Sequence, residues 1–331
     1  MILDPAIIAL LVSSLLITCM LVYATVYGVQ IVRSWDIASG SELQLSLERK
    51  TYLISTLMTY ALGFQLGSFF LFIFTADNLS RLFVGAMCAV GSLSVSPYGY
   101  PVLLLKLLNF LLAGLWLIVN HADNKATDYP LIKKKYGCLL GVTPLVLAET
   151  ILQWQYFLSL KANVITSCCG SLFSATTEGM AAEIAAFPPV PTMIVFSACM
   201  VAMFALGMYH YRSGKGGYLF ALAGAVTFLA AVAAFISVIC LYFYELPSHH
   251  CPFCILQKEY RYVGYLLYGT LLGGAVSAMG VGVLQPFGRI ASLAAILPII
   301  QRRLALAAMI FYGLFGGISV WQIMVSQLRL S

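Results

Sequence analysis

The stretch GYLFALAGAVTFLAAVAAFISVICLYFY, from Gly217 to Tyr244, contains no charged residue and no proline. It is apolar at odd and even positions alike, so it is not a half-buried strand, whose faces would alternate. A helix rises about 1.5 Å per residue, and about 20 apolar residues cross the ~30 Å hydrocarbon core of a bilayer. Gly217–Tyr244 therefore reads as a membrane-crossing helix.

Seven further runs of the same kind flank it. The expected spans are Ala6–Val32, Tyr52–Thr75, Pro101–Asn120, Tyr136–Leu158, Val190–Tyr211, Gly217–Tyr244, Tyr262–Leu284 and Arg303–Leu328. Hydrophobic residues make up 61% of the 331 and charged residues 9%, against about 25% charged in soluble domains. The fold expected is all-α: a polytopic helical bundle integral to the lipid bilayer, with about eight transmembrane helices. The segment Leu79–Val95 is apolar but short, and Ser96-Pro97-Tyr98-Gly99-Tyr100-Pro101 follows it as a turn signal. It reads as an interfacial or re-entrant loop, with a ninth span as the alternative. The N-terminus lacks a basic region and a small-residue cleavage site, and reads as a retained first helix.

The net charge of +6 is spread over short connectors, which orients helices rather than binding nucleic acid. Arg33, Arg49 and Lys50 follow the first span, and Lys125, Lys133, Lys134 and Lys135 the third. Arg212 and Lys215 follow the fifth, and Arg289, Arg302 and Arg303 the seventh. All four connectors are cytoplasmic if both termini lie on the outer side, as the positive-inside rule prefers. Lys258 and Arg261 go against this pattern. The same topology puts Cys88, Cys168, Cys169, Cys251 and Cys254 on the outer side, where an oxidising compartment permits disulfides. Cys19, Cys138, Cys199 and Cys240 fall within spans and read as small core hydrophobes.

The chemistry-bearing stretch is His249-His250-Cys251-Pro252-Phe253-Cys254. Pro252 suits the first position of a helix, which would place Cys251 at its cap and Cys254 one turn on. Unpaired amides there, with the histidines and Lys258, would favour thiolate, the form that thiol–disulfide exchange requires. A static disulfide is an alternative, and so is a zinc or copper site made of His249, His250, Cys251 and Cys254. Cys168 and Cys169 are adjacent, and a vicinal bridge is strained because disulfides prefer Cα separations of about 4.4–6.8 Å. One of them is expected to partner a cysteine elsewhere, such as Cys251 or Cys88. Glu149 is the one carboxylate deep inside an expected span, with Gln153 one turn on. It reads either as a proton relay to a quinone or as a hydrogen-bonded packing residue. Lys106 lies near a span end and is expected to snorkel. There is no haem or nucleotide signal.

The order span, Cys168/Cys169 loop, two spans, Cys251-Pro252-Phe253-Cys254, span resembles the vitamin K epoxide reductase family and, in function, the membrane enzymes that oxidise bacterial periplasmic thiols. The resemblance covers residues 136–284 and implies a four-helix redox unit with a bound quinone. It implies that Cys254 faces the quinone, Cys251 exchanges with a loop cysteine, and Cys168 or Cys169 takes electrons from a soluble thioredoxin-like partner. Ser96-Pro97-Tyr98-Gly99, which resembles the family's loop sequence, follows Cys88 instead. The domains expected are 1–135, three spans with the Cys88 loop; 136–284, the redox-like unit; and 285–331, a final span. The expected function is quinone-coupled thiol–disulfide exchange on the non-cytoplasmic face of a bacterial plasma membrane, at Cys251, Cys254, Cys168 and Cys169. Cys88, His249, His250 and Glu149 are expected to be auxiliary. Soft-metal handling (copper, zinc or mercury) and a non-catalytic subunit of a respiratory complex are the alternatives.

Overall fold

A computed structural model describes residues 3–37, 39–161, 166 and 180–329. Among these residues the chain is helical, without strands, and eight helices are long and apolar enough to cross a membrane. They are α1 (Pro5–Ser34), α2 (Glu42–Ser80), α4 (Gly99–Asp123), α5 (Ile132–Ser159), α7 (Pro189–Ser213), the compound helix Gly217–Tyr244, α10 (Val263–Leu284, continued by a 3-10 turn to Arg289) and α11 (Leu297–Val325). The compound helix is α8 (Gly217–Ala234), a π turn (Phe235–Ile239) and α9 (Cys240–Tyr244).

Local chemistry sets the ends. The Asp4 carboxylate accepts the Ala6 amide, and Pro5 opens α1 where its missing N–H costs nothing. Gly214 closes α7 in the left-handed region (φ 69°), its amide returning to the His210 carbonyl at 2.8 Å. Helix α2 starts ten residues ahead of the expected Tyr52, because its polar first turns continue the helix. Leu79–Val95 is no ninth span: α2 ends at Ser80, and the segment then forms a turn and the six-residue helix α3 (Ala89–Ser94). The α3 residues Ala89 to Leu93 are buried, as is Cys88 before them.

The chain divides into two compact units. The first comprises residues 1–75, 96–160 and 286–300. Here α5 packs against α1 and α4 around Trp116, Tyr136, Leu139, Val142 and Val146. Lipid is as apolar as these side chains, so polar contacts carry much of the helix pairing. Hydroxyl pairs join α1 to α5, Thr18 to Thr150 at 2.8 Å and Thr25 to Thr143 at 2.7 Å. Gln153 donates to the Leu10 carbonyl at 3.0 Å.

The second unit comprises residues 76–95, 161–285 and 301–331. In it α8 packs between α7 and α10. The α8–α10 crossing is close because its contact positions are small. A β-carbon on Gly224 would collide with the Ala278 methyl, and one on Gly282 with that of Ala221. Tyr312 of α11 donates to the Gly224 carbonyl at 2.7 Å across this crossing. The short helix α6 (Met180–Ala185) completes the unit.

Candidate functional site, a buried cluster of three cysteines

The second unit brings three sulfurs together. The Sγ atoms of Cys88, Cys251 and Cys254 all lie within 4.8 Å of one another. Cys88 and Cys251 are 3.6 Å apart, well beyond the ~2.05 Å of an S–S bond. Cys88 and Cys251 are fully buried, and Cys254 is 6% exposed.

Two phenols hold the Cys251–Cys254 backbone. Tyr244, the last residue of α9, donates its hydroxyl to the Cys251 carbonyl at 2.6 Å and accepts the Ile255 amide at 2.9 Å. It thus ties both sides of the motif to one atom. Tyr268 of α10 donates to the carbonyl of Pro252 between the cysteines. Its ring packs edge-on against Phe235, the first residue of the π turn. That turn also receives His250, whose Nδ1 meets the Ile236 carbonyl at 3.1 Å and therefore carries the proton. Widened turns of this kind are frequent at functional sites.

The helix expected to start at Pro252 is absent. Glu245 ends α9 in the left-handed region, and Cys254–Leu256 and Lys258–Tyr260 form separate 3-10 turns. Arg261 and Tyr262 are both left-handed (φ 54° and 56°), so α10 begins only at Val263. No α-helix N-terminus stands at Cys251 to favour its thiolate. The same loop accounts for Lys258, Glu259 and Arg261, which are exposed in it and do not belong to the following helix. Burial raises the Tyr260 phenol above its ordinary pKa, with smaller contributions from Cys254 and Glu259.

A polar clasp brings Cys88 to the motif. Gln257 donates its side-chain amide to the Met87 carbonyl at 2.6 Å and to Asp77 Oδ1 at 3.2 Å. The same Asp77 oxygen accepts the Ala89 amide at 3.2 Å. Asp77 and Gln257, the latter three residues beyond Cys254, thus grip the residues on either side of Cys88. No sequence pattern marks Asp77, Gln257 or the two tyrosines as site residues. Each hydrogen bond joins residues from different turns or distant stretches, and no spacing rule reports that.

The other expected site residues are distributed differently. Cys168 and Cys169 lie outside the described residues. Thr166, two positions before Cys168, donates its amide to the Val84 carbonyl at 3.0 Å, four positions before Cys88. His249 packs edge-on against the Tyr244 ring, 4.5 Å between centroids. Among the described residues, neither His249 nor His250 belongs to the cluster of ligand atoms within 4.8 Å.

Glu149 lies in the first unit, in a polar cluster of its own. It accepts Gln65 and Asn109 at 2.6 Å each and pairs with Lys106 at 2.7 Å. Lys106 does not snorkel: it is 1% exposed, because Glu149 supplies a counter-charge inside the helix bundle. A second buried pair, Lys135 with Asp123 at 2.7 Å, removes Lys135 from the surface charge of its connector.

Compared with models of known protein families, with curated proteins and with solved structures, the chain matches none.

Proposed function

We propose that this protein is a membrane thiol–disulfide oxidoreductase whose reacting sulfurs are Cys88, Cys251 and Cys254. The observation that carries the reading is the 3.6 Å separation of Cys88 and Cys251 with Cys254 in the same cluster. Exchange requires one sulfur to reach a disulfide formed by two others, and three sulfurs this close need only side-chain rotation to do so.

The electrons balance as follows. Cys251 and Cys254 form a disulfide by losing two electrons and two protons, which a membrane quinone takes up to become the quinol. The Cys88 thiolate then attacks Cys251 Sγ. The Cys88–Cys251 bond forms, the Cys251–Cys254 bond breaks, and Cys254 leaves as a thiolate and takes a proton. A dithiol protein of thioredoxin-like chemistry reduces the Cys88–Cys251 bond and is itself oxidised to a disulfide. The net reaction is dithiol plus quinone to disulfide plus quinol, and potentials alone set its direction. Entry through Cys168 or Cys169 adds one exchange: its thiolate attacks Cys88 Sγ, the Cys88–Cys251 bond breaks with Cys251 leaving as a thiolate, and the partner dithiol reduces the new bond to Cys88. The Thr166–Val84 hydrogen bond supports that role by joining their segment to the one bearing Cys88. The reading places this chemistry on the non-cytoplasmic face of a bacterial plasma membrane, in keeping with the distribution of basic connectors.

The test is thiol mapping of purified protein. Samples taken before and after addition of a quinone, or of a reduced thioredoxin-like protein, are acid-quenched, unfolded, alkylated and analysed by mass. Quinone should convert Cys251 and Cys254 to a disulfide. In Cys254→Ser an oxidised thioredoxin-like protein should instead load a Cys88–Cys251 bond, its own disulfide being reduced, and that bond should accumulate because no Cys254 thiol can take it over. Thiol states at all three positions that stay the same under every condition would sink the proposal.

A further inference from the structure

The geometry points to a second capacity of the same sulfurs: we propose that the reduced cluster captures trivalent arsenic as a neutral three-thiol adduct. This rests on Cys88, Cys251 and Cys254 being reduced and adjacent, as in the exchange reading, but requires neither a quinone nor a partner protein.

Distance supplies the first argument. With bonds of about 2.3 Å, the length of a metal–thiolate bond, three sulfurs around one centre stand about 3.5–4.0 Å apart, from pyramidal to planar. The Cys88–Cys251 separation of 3.6 Å already falls in that range, and no pair in the cluster exceeds 4.8 Å. Small χ1 rotations close the rest.

Charge decides which soft centre fits. Three thiolates on monovalent copper leave a net charge of two minus, and on zinc or divalent mercury one minus. Such charge is costly where Cys88 and Cys251 are fully buried and Cys254 nearly so. The Asp77 carboxylate, bonded to the amide next to Cys88, raises that cost further. Arsenous acid avoids that penalty. It enters uncharged, its three As–O bonds give way to three As–S bonds, and each thiol proton leaves with a hydroxide as water. No electron is transferred, and the product carries no charge. Its pyramidal centre needs three sulfurs and nothing more, and soft sulfur is the donor it prefers.

The experiment uses the full chain in detergent, reduced and then freed of reductant under anaerobic conditions, with sodium arsenite as the probe. Intact mass should show one arsenic per chain, less three hydrogens, and the arsenic X-ray absorption edge should show three sulfur neighbours. Cys88→Ser should leave a two-sulfur, one-oxygen shell and weaken binding by about a hundredfold, the upper end of what losing even an outer-shell contact costs at a metal site. Two sulfurs in the wild-type protein, or a three-sulfur shell that survives Cys88→Ser, overturns the proposal. If the variant fails to fold, the wild-type sulfur count still decides. Arsenic capture without exchange would refute the oxidoreductase alone, whereas exchange without three-sulfur capture would refute only this inference.

Discussion

Gln257 is the residue on which the sulfur geometry turns. Its amide donates to Met87 at 2.6 Å and to Asp77 at 3.2 Å, bridging the two chain segments that carry the cysteines. Two such hydrogen bonds contribute about 1–3 kcal/mol together, and 1.4 kcal/mol is about tenfold in an equilibrium. Gln257→Ala in a Cys254→Ser background should therefore slow formation of the Cys88–Cys251 bond by an oxidised thioredoxin-like protein about tenfold, read by timed alkylation. Gln257→Glu should be worse, since it sets an acceptor against two acceptors. An unchanged rate in both would show that Cys88 is held by other contacts. Cys251 and Cys254 were legible in the sequence as a candidate pair, because two thiols at i and i+3 can close a disulfide or hold a metal. Cys88 was legible only as an outer-side loop thiol, because no spacing places it against Cys251, 163 residues on. Tyr244 and Tyr268 were not legible, because their hydroxyls reach backbone carbonyls of a loop that has no helical period.

Among the elements, the eight spans could be read from length and polarity because the bilayer sets both. The loop between α9 and α10 could not, since three left-handed residues, Glu245, Arg261 and Tyr262, fix its path and none is a glycine. A proline after a cysteine suggests a helix start, but here tertiary hydrogen bonds from Tyr244 and Tyr268 shape the segment instead. In the first unit, α2, α4 and α5 are joined at Glu149 by Gln65, Lys106 and Asn109. Glu149 stood out as a lone intramembrane acid, but its partner Lys106 lies 43 residues away on another helix. Glu149→Leu leaves Lys106 buried and unpaired, and should cost about 3–5 kcal/mol. The double variant Lys106→Met with Glu149→Leu should recover most of that loss, as thermal unfolding in detergent will show. If the single variant is as stable as the wild type, the pair does not hold these helices together. If the double variant regains stability but loses quinone-linked exchange, Glu149 is a proton-relay group; retained exchange makes the pair a packing device.

For the whole molecule, the distribution of surface charge carries the argument. Lys135 is neutralised by Asp123 inside the protein, so the stretch after α4 presents Lys125, Lys133 and Lys134 rather than four cations. Three exposed cations, Lys125 in the connector and Lys133 and Lys134 in the first turn of α5, still outweigh the pair Lys258 and Arg261, which share their own loop with Glu259. A segment retaining more Lys and Arg stays cytoplasmic during insertion. The loop bearing Cys251 and Cys254 should therefore face the opposite compartment, where its thiols meet oxidants instead of the cytosolic reducing pool. Cysteines introduced at two exposed positions separate the compartments cleanly. In intact cells, Lys258→Cys should react fully with a membrane-impermeant maleimide, above the background of the unsubstituted protein. Lys133→Cys should react only after permeabilisation. The reverse pattern would put the three-sulfur cluster in a reducing compartment, and an oxidative relay from outer thiols to a membrane quinone would then be untenable.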